Sequence, residues 1–140
     1  MTEDMYEEKR SDHLLRYLVR LADNGAEMDV TLNVSGTTIT GTLIGNVTYL
    51  DEIQRYLKTN HSDLKEKMTT FFEKTADKFQ KHTDQDEYES GYIHLRDAKI
   101  LEERGEKAFA GNLWRGKLAD VNGFSFGAIR VKQSERSRFE

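Results

Sequence analysis

Leu14, Leu18, Leu21 and Ala22 recur at helical spacing, with Leu15 and Val19 widening the stripe. The spacing predicts an amphipathic helix over Ser11 to Ala22, capped by Ser11 and stopped at Asn24-Gly25, which supplies the left-handed residues that close a helix. From Met28 the period falls to two. Met28, Val30, Leu32 and Val34 point one way and Asp29, Thr31 and Asn33 the other, as in a strand with one wet face. Ser35-Gly36 reads as a turn into a second strand, "TTITGTLIG", in which Ile39, Gly41 and Leu43 share a face. Gly41 inside that strand predicts a sharp bend or a close backbone approach.

After Asn46 the helical period returns at Tyr49, Leu50, Ile53, Tyr56 and Leu57, with Thr48 and Asp51 placed as a cap pair. "TNHS" interrupts it, and Leu64, Met68, Phe71, Phe72 and Phe79 mark a second, longer helix with a mixed Lys/Glu outer face. Such a stripe packs into a core or forms an adaptable partner-facing surface. "TDQDEYES" (83–90) ends it as an acidic loop. "GYIHLRDAKILEE" then alternates with Ile93 and Leu95 on one parity and Ala98 and Ile100 on the other, which predicts a bulge near Asp97. Arg104-Gly105 turns the chain into a long strand around Phe109 to Val121. Asn122-Gly123 reads as a two-residue hairpin turn into a last strand, Phe124 to Val131.

Composition narrows the chemistry. The 140 residues contain no cysteine, so disulfides, thiolate nucleophiles and sulfur-ligated zinc are excluded. The histidines, at 13, 61, 82 and 94, have no metal-ligand spacing, and no metal or cofactor is expected. Asp84, Asp86 and Glu89 fail as a calcium loop, because Glu89 stands where glycine is needed and Leu95 where a bidentate acid is needed. Phosphate-cradling glycine loops and a nucleophile elbow are missing, and "HLRD" (94–97) reads as ordinary strand, so no catalytic residue is expected. The stretch 1–10 is acidic and hydrophilic, and no run of apolar residues suits a membrane, so a cytoplasmic location is expected.

Charge is polarised. Residues 107–140 hold seven Lys/Arg against three Asp/Glu, while residues 1–106 hold fourteen against twenty-two. An acidic body with a basic end favours attraction between copies or docking onto an acidic partner. Trp114, Arg115, Lys117, Phe124 and Phe126 interleave aromatic and basic side chains as single-strand nucleic-acid binders do. The acidic remainder disfavours nucleic acid, and the alternation puts Phe124 and Phe126 in the core with Arg115 and Lys117 on a wet face.

Two family resemblances follow from these blocks. A helix followed by "DVTLNVSGTTITGTLIG", "YIHLRDAKILEE" and "LWRGKLADV" resembles the Sm-like small barrel, where a helix precedes a strongly bent five-stranded sheet and an Arg-Gly step opens the second motif. Arg115 and Gly116 would carry over, and the resemblance implies an oligomeric RNA-binding protein. The chain departs where that family has a short connection contacting RNA bases, because residues 47–89 form a helical and acidic insertion here. More of the chain, from about Leu14 to Ser134, is similar to the gas vesicle accessory protein GvpU family. "EMDVTLNVSGTTITGTLIGNVTYLDEI", "YIHLRDAKI" and "LWRGKLADVNGFSFGAI" match it block by block and in order. That resemblance implies a cytoplasmic, non-enzymatic accessory protein at the gas vesicle surface, acting on vesicle assembly or clustering, with no catalytic residue to transfer.

The expectation is therefore an α+β domain over 11–132 between a flexible acidic segment, 1–10, and a flexible tail, 133–140. It comprises an N-terminal helix, a bent antiparallel sheet of about five strands, open or closed as a small Sm-like barrel, and a two-helix insertion between strands 2 and 3. Trp114, Arg115 and Lys117 are the candidate partner-binding residues, for a peptide or tail of the gas vesicle shell protein. The helical insertion or the charged ends would support self-association into a homo-oligomer.

Overall fold

The computed structural model describes residues 12–82 and 91–129. The expected segments 1–10, 83–90 and 133–140 lie outside them. Helix α1 (His13–Asp23) forms as its apolar stripe predicts, burying Leu15, Leu18, Val19 and Ala22. Its cap is Asp12, whose Oδ1 accepts the N–H groups of Leu14 at 2.8 Å and Leu15 at 3.2 Å; Ser11 is outside the described residues. The helix packs over one face of the sheet, against Val30, Leu32, Ile39, Leu43, Ile93, Leu95, Ala98, Leu118 and Val121. Burying a branched side chain there contributes roughly 1.5–3 kcal/mol.

The sheet has six strands, close to the expected five: β1 (Met28–Val34), β2 (Thr37–Ile44), β3 (Tyr92–Glu102), β4 (Gly105–Ala108), β5 (Leu113–Lys117) and β6 (Val121–Phe126). Every pairing is antiparallel, in the order β4-β3-β2-β1-β6, with β5 beside the first half of β3. The sheet is open among the described residues. The extra strand arises because the expected long strand from Phe109 is broken twice, at the short 3-10 turns Ala110–Asn112 and Leu118–Asp120. Gly111 and Asn112 take left-handed backbone at the first, with φ of 67° and 59°.

The bulge expected at Asp97 is present. Asp97 has φ 54°, and the β2–β3 register shifts between Thr40 and Thr42. Gly41 sits opposite it, where an added Cβ would lie 2.9 Å from the Arg96 carbonyl oxygen and 3.2 Å from Ala98 Cα. The glycine lets β2 and the bulged strand approach while Ala98 returns to the core side.

Asn122-Gly123 is not a hairpin turn. Gly123 pairs with Asn33 and Val121 with Val34, so Asn122 is the extra residue of a bulge inside β6. Its Oδ1 accepts the N–H of Ser35 at 2.7 Å, so a long-range partner overrides the local turn preference. The turn expected at Arg104-Gly105 is present, with Glu103 and Arg104 between the paired Glu102 and Gly105, whose φ is 144°.

The second face of the sheet is covered in two places. At one, residues 127–129 cross over it: Thr31 donates to the Gly127 carbonyl at 2.9 Å, and the Ile129 N–H donates to Thr40 Oγ1 at 3.1 Å. Thr31, expected on a wet face, is buried for that reason. At the other lies the helical insertion, which has three helices instead of two: α2 (Asn46–Asn60), α3 (Ser62–Lys67) and α4 (Thr69–His82). His61 and Met68 interrupt the helical runs, and Leu50, Leu57 and Phe72 form a second, smaller core. Thr48 and Asp51 do not cap α2. Asp23, at the end of α1, caps it through space by accepting the Asn46 N–H at 3.0 Å and its Nδ2 at 3.2 Å.

Candidate functional site

Strand β5 holds the three expected site residues. Trp114 pairs with Leu95, Arg115 with His94 and Lys117 with Tyr92. Successive residues of a strand face opposite sides, so the three do not form one patch. Trp114 is half-buried and packs against the main core. Its indole lies across Gly116, where an added Cβ would come 2.5 Å from the ring. The glycine of the Arg-Gly step thus makes room for the tryptophan. Arg115 and Lys117 are exposed on the other face, towards the helical insertion.

Beneath Arg115 lies His94, 2% exposed between the core residues Ile93 and Leu95. Arg115 Nε donates to His94 Nε2 at 3.2 Å, and its guanidinium carbon sits 3.8 Å from the Tyr92 ring centroid. An arginine N–H can only donate, so Nε2 must carry the lone pair and Nδ1 the proton. Burial first, and the Arg115 charge second, push the His94 pKa down to about 3, so the imidazole is neutral at physiological pH. Tyr49 of α2 packs on it, ring centroids 4.5 Å apart. Burial raises the Tyr49 hydroxyl above its ordinary value, with the Arg115 charge acting in the opposite direction.

These side chains line a cleft of about 210 Å³ between β3, β5 and the insertion, walled by Asn46, Tyr49, Leu50, Phe71, His94 and Arg115. With its lone pair engaged by Arg115, His94 is a poor proton acceptor, and the arrangement suits binding of an anion better than proton transfer. A second cation on this face of the sheet contrasts with Arg115. Arg96 is held by Glu27, at 2.6 and 3.3 Å, with Glu52 at 3.9 Å and Asp97 at 4.0 Å. That contact lowers the Glu27 pKa and raises that of Arg96. Among the described residues, no carboxylate forms an ion pair with Arg115, and none groups with others as a metal site.

The same blocks that build this sheet also decide the family. A model of the family described as gas vesicle protein GvpU-like matches residues 12–129. The chain belongs to that family. This GvpU-like chain is thereby a gas vesicle-associated protein of an accessory type. No curated protein and no solved structure matches it. None of its described helices is long and apolar enough to cross a membrane.

Sequence reasoning reached Arg115 and placed Phe71 on a stripe that packs into a core or faces a partner, but it did not reach His94, Tyr92 or Tyr49. The one available signal was His94 itself, a polar residue between two core positions of a strand. Its pairing with a residue 21 positions away has no local signature. Of the nucleic-acid pattern, Phe124 is half-buried as expected, whereas Phe126 is 63% exposed and meets Phe124 edge-on at 5.7 Å.

Proposed function

We propose that this protein is a non-enzymatic, cytoplasmic accessory factor that binds the gas vesicle shell protein at the vesicle surface and promotes assembly or clustering by associating with further copies of itself. Membership of the GvpU-like family over residues 12–129 carries this reading. Arg115 and Lys117 make the shell contact from the exposed face of β5, and Trp114 holds that strand against the core from the other side.

Self-association draws on the charge split, since residues 107–140 carry seven Lys/Arg against three Asp/Glu and the rest of the chain fourteen against twenty-two. Exposed charges are screened beyond about 8 Å at physiological ionic strength. Light scattering of purified vesicles mixed with the protein should therefore rise at low salt and fall as salt is added. Scattering that ignores salt removes the electrostatic basis of clustering. Particles that form only with added RNA would favour the oligomeric RNA-binding reading instead.

A further inference from the structure

The Arg115 cleft has a composition that its own residues leave incomplete. The guanidinium is fixed on two sides: Nε on His94 Nε2 at 3.2 Å, and one flat face over Tyr92 at 3.8 Å. His94 accepts without neutralising the charge. Neighbouring Arg96 shows what a completed cation looks like on this sheet, with a two-point Glu27 contact and two further carboxylates at its edge. Arg115 is held by His94 and Tyr92, and among the described residues no carboxylate forms an ion pair with it. The outer edge of a guanidinium, with parallel N–H groups, matches a carboxylate at two points.

Beside the polar Asn46 and Thr75, the cleft is lined by Tyr49, Leu50 and Phe71, the last 56% exposed. A cofactor or drug-sized ligand generally needs roughly 300–1,000 Å³. At about 210 Å³ the cleft suits a single side chain.

We propose that the cleft receives one apolar side chain of an acidic protein segment, while an adjacent Asp or Glu carboxylate pairs with the open edge of Arg115. The inference rests on the shell-binding reading and names the chemistry of the partner. The acid supplies the charge that Arg115 lacks, and the apolar neighbour covers Phe71 and Leu50.

The test uses the full chain and two capped peptides, acetylated and amidated, that differ only in a Phe-Glu or Phe-Gln pair. Binding is followed by NMR shifts, including the Arg115 Nε–H signal. The Glu peptide should move that signal and bind at least about ten-fold more tightly than its Gln counterpart, as expected for a charge-assisted pair. Arg115→Gln should abolish the difference between the peptides. Phe71→Ala should weaken both, leaving their ratio intact. Equal binding of both peptides, no binding of either, or an unchanged preference in Arg115→Gln overturns the proposal. Association of the intact protein with vesicles, measured alongside, separates the two levels: vesicle binding without peptide preference rejects this cleft alone, and peptide preference without vesicle binding rejects the shell as the partner.

Discussion

Acid should destabilise this fold through His94, by an amount the structure sets. The folded imidazole has a pKa of about 3 against an ordinary 6.5 in the unfolded chain. Between those values the unfolded chain binds the extra proton, so stability is full above about pH 6.5 and falls as pH drops towards 3. At pH 5 the unfolded chain is stabilised by protonation by about 2 kcal/mol while the folded chain is untouched, and at pH 4 by about 3 kcal/mol. The cause is physical: protonation would leave two N–H donors facing each other at the 3.2 Å Arg115 contact and strand a charge in a buried site. The assay is urea unfolding of the wild type and His94→Gln at pH 7.5, 5 and 4. Other groups titrate in both proteins, including Asp23, whose pKa burial raises against the Asn46 hydrogen bond, so the difference between the two curves isolates His94. The wild type should lose about 2 kcal/mol more than the variant between pH 7.5 and 5. Parallel losses, or an NMR titration of His94 near 6.5, would refute the buried Arg115–His94 pair.

Gly41→Ala should cost about 1–3 kcal/mol in urea unfolding, since its methyl group meets backbone atoms that cannot yield without undoing the Asp97 bulge. Asp23→Ala should cost about 1 kcal/mol and speed hydrogen exchange at Asn46, whose N–H it caps. Thr40→Val removes the acceptor of the Ile129 N–H, and hydrogen exchange at that amide should become fast with a loss of about 1–2 kcal/mol; continued protection would show that residues 127–129 are held otherwise.

Local pattern carried much of the architecture. Helix α1, strands β1 and β2 and the bulge at Asp97 follow from local periodicity and backbone preference, and the glycine at 41 marked the close approach to Arg96 and Ala98. The errors arose where a distant residue decides. Asn122-Gly123 has strong turn chemistry, yet Asn33 and Ser35 draw it into a strand. The start of α2 is capped by Asp23 from another helix, which no cap pattern around Thr48 could reveal. The candidate site divides in the same way. Arg115 is conspicuous in "LWRGK", but the imidazole and the tyrosine ring that fix it come from β3, and Tyr49, packed on that imidazole, comes from α2. Their meeting is a property of the sheet, and so is the separation of Trp114 from Arg115 onto opposite faces.

The most direct measurement is flotation of purified gas vesicles with the protein, followed by quantifying the chain in the buoyant layer. The wild-type chain should rise with the vesicles at low salt, and Arg115→Gln, folded normally by circular dichroism, should stay mostly in the liquid below. A wild-type chain that remains in solution at every salt concentration, or an Arg115→Gln chain that floats equally well, would contradict shell binding through Arg115.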